Sequence, residues 1–202
     1  MITKADVLKC SIKNFTQFGS KTVTLTDLSK LLGISKKTIY QYFDSKEDLV
    51  TQSVDTLLQN YQADIDAILG SCHDPIECII LIYKRGFEII SNFKPSFLYG
   101  LKKYYPAASD LFDRFRAHLS SSILLNLLEE AQDEGIIESN INIELVTELN
   151  FTRLNNHAFK QGPMFDLYPA KTILYYLIIC NLKGIVKPGY QHPLFELSLY
   201  VD

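Results

Sequence analysis

No run of apolar residues in this chain of 202 is long enough to cross a lipid bilayer. The most apolar stretch, Ile173 to Leu182, lies between Lys171 and Lys183 and falls well short of the ~20 residues a spanning helix needs. The first residues hold no apolar core for an export signal, because Lys4, Asp6, Lys9 and Lys13 interrupt it. The expectation is a soluble, cytoplasmic protein with no membrane partner. Cysteine is sparse. Cys10, Cys72, Cys78 and Cys180 are scattered, and they read as reduced thiols in a cytosol. Cys72-His73…Cys78 lacks the second ligand pair of the usual zinc spacings, so no metal is expected. His118 and His157 fall on helical patterns and read as ordinary core or surface histidines. The sequence also lacks a Ser/His/Asp arrangement, a paired-carboxylate motif and a phosphate-cradling glycine loop. No catalytic residue and no cofactor are expected.

Internal repeats, low-complexity tracts and strand-like alternation are rare or missing, while apolar residues recur at three- and four-residue spacing almost throughout. The fold class implied is all-α. With 47% hydrophobic and 21% charged residues, the chain can bury a sizeable core. The net charge of −3 argues on its own against a polyanion-binding protein, but its distribution does not. Residues 1–50 hold eight lysines against five acids, a net of +3, which leaves −6 for the remainder. A basic head on an acidic body suits a protein that touches phosphates at one end.

Near the N-terminus, Thr3-x-x-Asp6, Thr24-x-x-Asp27 and Ser45-x-x-Asp48 each set a hydroxyl three residues before a carboxylate. That is the capping-box spacing, with Asp in place of Glu, and the acid falls where the helix dipole favours it. The predicted helices run from Thr3 to Phe18, with Leu8, Ile12 and Phe15 on the inner face, from Thr24 to Leu32, from Lys36 to Tyr42, and from Lys46 toward Leu69. Gly33 supplies the left-handed backbone between the second and third, and Leu28, Ile34 and Ile39 fix their angle. Two short helices so joined form a helix-turn-helix, whose second member enters the major groove of DNA. An ordinary helical hairpin has the same pattern.

The run Gly33-Ile34-Ser35-Lys36-Lys37-Thr38-Ile39-Tyr40-Gln41-Tyr42-Phe43-Asp44-Ser45-Lys46-Glu47-Asp48-Leu49, with Thr24-Leu25-Thr26-Asp27-Leu28 before it, resembles the DNA-binding domain of the tetracycline-repressor (TetR/AcrR) family. Lys37 stands where the family often has glycine, and Tyr42 where it often has histidine. The resemblance covers about the first quarter of the chain. It implies a homodimer whose subunits carry a three-helix head, residues 1–47, and a larger helical ligand-binding and dimerisation body, residues 48–202. It further implies a repressor that binds double-stranded operator DNA until a small molecule releases it.

On the geometry of recognition helices, Lys36, Lys37 and Thr38 are candidates for reading bases. Ser35 reads as a cap, with or without a DNA contact. The family pattern places Tyr40 and Tyr42 against phosphates, although either has an alternative place in the head's core. Lys46, at the start of the fourth helix, and Thr24 and Thr26, at the start of the second, are further phosphate candidates. In the body, Tyr83, Phe87, Phe97, Tyr104, Phe112 and Phe115 are candidate pocket residues for an apolar or aromatic effector, or simply core. The helices Ile143 to Lys160 and Ala170 to Val186, the second apolar nearly all round, are candidates for a two-fold interface through Phe151, Leu154, Ile173, Leu174, Leu177 and Ile178. The tail 187–202 reads as an extension folded over the body. Two other readings stay open: a DNA-binding regulator without a small-molecule ligand, and a helical lipid-binding protein or enzyme.

Overall fold

A computed structural model of the chain describes residues 2–154 and 164–200. Helices account for the architecture; among the described residues the only strand-like pairing is an isolated antiparallel bridge between Ile137 and Val186. The chain divides into two compact units, one of residues 1–62 and 92–115, the other of residues 63–91 and 116–202.

The first unit opens with α1 (Lys4–Phe18), α2 (Leu25–Leu32), α3 (Lys36–Tyr40) and the first part of α4 (Lys46–Ser71). Two of the expected capping boxes form in full. The Thr3 and Thr24 hydroxyls accept from the Asp6 and Asp27 backbone N–H groups, and those carboxylates accept in return from the cap backbone. The third forms by half: the Asp48 N–H donates to the Ser45 hydroxyl at 3.0 Å, but the Asp48 carboxylate takes its bond from the Asp44 N–H, also at 3.0 Å. The inner face of α1 differs from the expected one. Val7, Ser11, Phe15 and Thr16 are buried, while Leu8 and Ile12 are half-exposed. The reason lies downstream: α1 packs against both α2 and α6 (Pro95–Tyr104), and the second partner turns the covered face.

The attachment of α6 is close. The Lys94 N–H donates to the Thr16 carbonyl at 2.9 Å, and the Tyr105 hydroxyl donates to the Ser20 carbonyl at 3.2 Å. Gly100 faces the Ser20 side chain. Gly19 ends α1 at φ 86°, ψ 135°, a conformation open to glycine alone, and an added Cβ there would lie 3.0 Å from Ser96 Oγ. Phe97, Leu101 and Tyr105 are buried in this unit, which also takes in the first part of α7 (Pro106–His118).

The second unit is built on α5 (Pro75–Ile90), whose Ile76, Ile79, Ile80 and Ile82 are buried. It packs against α8 (Leu125–Asp133), which follows a wider helical turn at Leu119–Leu124, and against α11 (Ala170–Leu174). Also in this unit are α9 (Ile143–Leu154) and the short α10 (Met164–Leu167). After α11 the chain continues through a second wide turn, Tyr175–Ile179, into α12 (Cys180–Lys183), so the last long helical stretch stops before the expected Val186. The tail does fold back on its own unit. Tyr190 donates to Asp74 Oδ2 at 2.7 Å, His192 lies 3.5 Å from Glu77, and Phe195 and Tyr200 are buried.

One expectation fails here. Cys72 and Cys78 form a disulfide rather than standing as separate thiols, leaving Cys10 and Cys180 free. The turn from α4 into α5 brings their Cα atoms to 5.8 Å, inside the window a disulfide requires. Their spacing, weighed for a metal, places the two sulfurs against each other instead.

Replacing Gly19 by alanine forces a side chain into the glycine-only conformation and against Ser96. Thermal or urea unfolding is expected to show a loss of about 1–3 kcal/mol, whereas Gly189→Ala, in open space, leaves stability unchanged.

Candidate nucleic-acid interface

The turn between α2 and α3 determines what α3 presents. Gly33 adopts the left-handed conformation at φ 65°, ψ 30°, and its N–H and that of Ile34 close on the Lys30 and Ser29 carbonyls at 3.2 and 3.0 Å. Leu28 from α2 and Ile39 from α3 are fully buried. Because the apolar side of α3 is held this way, its start faces water, and Lys36 and Lys37 are both exposed.

The hydroxyls beside those lysines already have partners. Ser35 caps α3 by accepting from the Thr38 N–H at 3.1 Å, and its oxygen lies 3.0 Å from the Thr38 hydroxyl. Thr38 is half-buried, so its methyl and hydroxyl are more confined than the flanking ammonium groups. The two tyrosines separate by environment. Tyr40 is 53% exposed, whereas Tyr42 is half-buried with its ring edge-on to Phe43 and its hydroxyl donating to the Ile2 carbonyl at 3.1 Å. Tyr42 thereby ties the start of the chain to the end of α3, a partner that spacing alone does not reveal.

Thr24 and Thr26 are exposed at the start of α2. The Thr24 hydroxyl donates to Asp27 Oδ2 at 2.7 Å. That bond and the Thr24 backbone bond hold the Asp27 carboxyl below the ordinary aspartate range. Lys46, at the start of α4, is half-buried and donates to the Lys21 carbonyl at 3.2 Å. Burial first, and the neighbouring Lys21 charge second, push its pKa below the usual lysine value. An anion beside this pair of cations relieves both costs. Lys21 thus belongs to the same surface, and its only sequence signal is its position three residues before Thr24.

The candidate pocket residues fall into both units. Tyr83 and Phe87 form an aromatic run with Phe165, at centroid separations of 6.0 and 5.6 Å. Burial pushes the Tyr83 phenol well above its ordinary pKa. In the other unit Phe97 packs on Phe93 at 5.3 Å, Phe115 on Tyr61 at 5.7 Å, Phe112 is buried, and Tyr104 is exposed.

Of the candidate interface residues, Ile173, Leu174 and Ile178 lie inside their own unit's core, because α11 packs on α5. Leu154 and Leu177 are half-buried, and Phe151 is half-buried beneath the Arg116 guanidinium, 5.7 Å from its ring. The large apolar residues that face outward on these segments are Leu145, Leu149 and Tyr176. His157 and the end of the predicted helix to Lys160 lie outside the described residues. Among the described residues no cluster of His, Cys, Asp and Glu fits a metal ion, and no helix is long and apolar enough to cross a membrane.

This head matches a known one: residues 7–52 fit the family described as bacterial regulatory proteins, tetR family. Over those residues the chain is similar to the TetR-family DNA-binding head. Its TetR-type head is 38% identical over 60 residues to the uncharacterized HTH-type transcriptional regulator YhgD of Bacillus subtilis (strain 168), a match spanning 30% of this chain and 31% of that one. A longer match, 26% identical over 166 residues, covers 80% of this chain and 85% of the uncharacterized HTH-type transcriptional regulator YvaF of the same organism. In fold, the chain resembles the transcriptional regulator FadR from Bacillus subtilis, solved in complex with stearoyl-CoA. The TM-score is 0.71 at 15% identity, over 91% of this chain and all of that one.

The capping box of α2 in this TetR-type head gives a direct test. Thr24→Ala removes one side of it and is expected to cost about 0.5–2 kcal/mol in chemical unfolding. Thr24→Ser, which keeps the hydroxyl, is expected to stay within a few tenths of a kcal/mol of the parent.

Proposed function

We propose that this chain is a homodimeric, ligand-responsive regulator that binds double-stranded operator DNA and represses nearby genes. The observation that carries this reading is the start of α3. Two exposed lysines stand on a short helix fixed by the buried Leu28 and Ile39 and by the left-handed Gly33.

In this reading α3 enters the major groove, where Lys36 and Lys37 donate to guanine acceptors and the Thr38 methyl meets a thymine methyl. Ser35 contributes by holding the helix start. Tyr40, Lys46, Thr24 and Thr26 contact phosphates and fix register without reading sequence. Tyr42 supports α3 from behind through its bond to Ile2. Residues 1–47 act as the head and residues 48–202 as the body. Dimerisation uses the outward apolar residues of α9 and of the turn after α11, namely Leu145, Leu149 and Tyr176, with the half-buried Phe151, Leu154 and Leu177 at their margin. Two heads on one dimer then meet successive major grooves about 34 Å apart.

The effector is a small apolar or aromatic molecule. The Tyr83–Phe87–Phe165 run supports this, since a half-buried phenol amid rings offers an apolar wall with one polar handle. α4 is continuous from Lys46 to Ser71, so it begins at a phosphate contact and ends at the body. An effector that favours one shape of the body changes DNA affinity only by the difference in its own affinity for the two shapes.

The test is selection of a duplex from a random library, followed by binding across a salt series. Lys36→Ala with Lys37→Ala is expected to weaken the selected duplex by roughly 10- to 100-fold or more while binding to scrambled DNA changes less, since each good base contact is worth about 1–3 kcal/mol. Equal affinity of parent and variant for the selected duplex, or a monomer by native mass spectrometry, defeats the proposal.

A further inference from the structure

The reading above leaves unexplained a group of cations and rings at the far end of α6. Lys102 and Lys103 are exposed there, next to Tyr99, 62% exposed, and Tyr104, 39% exposed. The side chains are organised rather than dispersed. The Lys103 ammonium sits 5.5 Å from the Tyr99 ring centroid and 5.3 Å from that of Tyr104. Tyr104 also carries the Lys21 ammonium, 4.8 Å from its ring centroid. Lys21 in turn accepts the Lys46 hydrogen bond through its carbonyl. A continuous strip therefore runs Lys46, Lys21, Tyr104, Lys103, Tyr99 within one compact unit.

The strip is fixed to the head. The bonds from Lys94 to Thr16 and from Tyr105 to Ser20, with Gly100 set against Ser20, hold α6 on α1 and on the loop that carries Lys21. Its charge is also compensated only in part. Among the described residues none of Lys21, Lys46, Lys102 and Lys103 forms an ion pair. Of the nearby acids, Asp27, which also accepts from Thr24, offsets part of the Lys46 charge, and the influence of Glu47 falls on Tyr105. An exposed row of ammonium groups held in line by phenol rings matches a sugar–phosphate chain, whose phosphates accept from lysine and tyrosine.

We infer that α6 and Lys21 form a second phosphate-binding edge of the head, which takes the backbone of the same DNA duplex beyond the bases that α3 reads. The inference rests on the DNA-binding reading and extends it, because the strip begins at Lys46, a phosphate candidate in its own right. Duplex DNA is the occupant favoured by this continuity: a polyanion already seated at Lys46 passes along the strip without a second partner. The consequence is a footprint longer than the recognition sequence, with affinity that depends on flanking length but not on flanking sequence.

The experiment uses the full chain and the duplex it selects from a random library, prepared with long flanks and trimmed to the recognition site. Lys102→Ala with Lys103→Ala, and separately Lys21→Ala, are expected to lower the slope of log affinity against log salt by about 0.9 for each phosphate that a lysine no longer neutralises. The loss of affinity is expected to be the same on selected and scrambled long duplexes and to vanish on the trimmed one. Lys102→Arg with Lys103→Arg is expected to keep the parent slope, and Tyr99→Ala to lose affinity on long flanks alone. An unchanged slope with long flanks overturns the inference. So does an equal loss on trimmed DNA, or a preference for single-stranded RNA that requires the same lysines. If Lys37→Ala abolishes selection while the α6 variants bind like the parent, only the second edge fails. If the parent selects no duplex, both readings fail together.

Discussion

The left-handed turn at Gly33 is the constraint on which the rest depends. A side chain at that position meets no neighbour, so the requirement is conformational rather than spatial. With the turn in place, Leu28 and Ile39 meet in the core and α3 has one orientation. Everything assigned to recognition follows from that orientation: the exposure of Lys36 and Lys37, the seating of Ser35 on the Thr38 N–H, and the retreat of Tyr42 to a supporting bond. A five-residue helix has little stability of its own. It persists because its cap, its buried isoleucine and the two tyrosine environments agree.

Electrostatics then divides the head from the body more sharply than net charge does. The lysines of the head are exposed or share a neighbourhood with another lysine, as Lys21 and Lys46 do, and an anion relieves the cost of holding them together. The acids of the head are largely occupied within it. Asp6, Asp27 and Asp48 accept from helix-start N–H groups or hydroxyls, which fixes the carboxylates at their own helix starts. Capping and polyanion binding are thus served by one arrangement: the carboxylates are turned into their own helix starts and the ammonium groups outward.

Much of the head is legible in the sequence because its signals are local. Capping boxes, the glycine turn and the buried Leu28 and Ile39 depend on residues within a few positions of one another. What escapes is long-range. The covered face of α1 is turned by about one residue from the one its periodicity predicts, because α6, some eighty positions downstream, covers part of it. Phe97 and Tyr104 look alike in a helical pattern, yet one packs on Phe93 and the other lies beside two lysines, a distinction made only by tertiary contact. Ile173, Leu174 and Ile178 suggest a surface for a second copy because an apolar helix needs covering on all sides; α5 supplies much of that cover from within the chain. The spacing of Cys72 and Cys78 carries no trace of the turn geometry that places their two sulfurs together.

The central claim is that α3 lies in the major groove with its lysines at base edges. Methylation interference tests it most directly, because a methyl group on guanine N7 blocks the major-groove edge and leaves the phosphates unchanged. The account predicts that premethylation of a few guanines, in two clusters one helical turn apart on the selected duplex, abolishes binding, while a minor-groove ligand on the same duplex does not compete. Undiminished binding to fully N7-methylated DNA would contradict it.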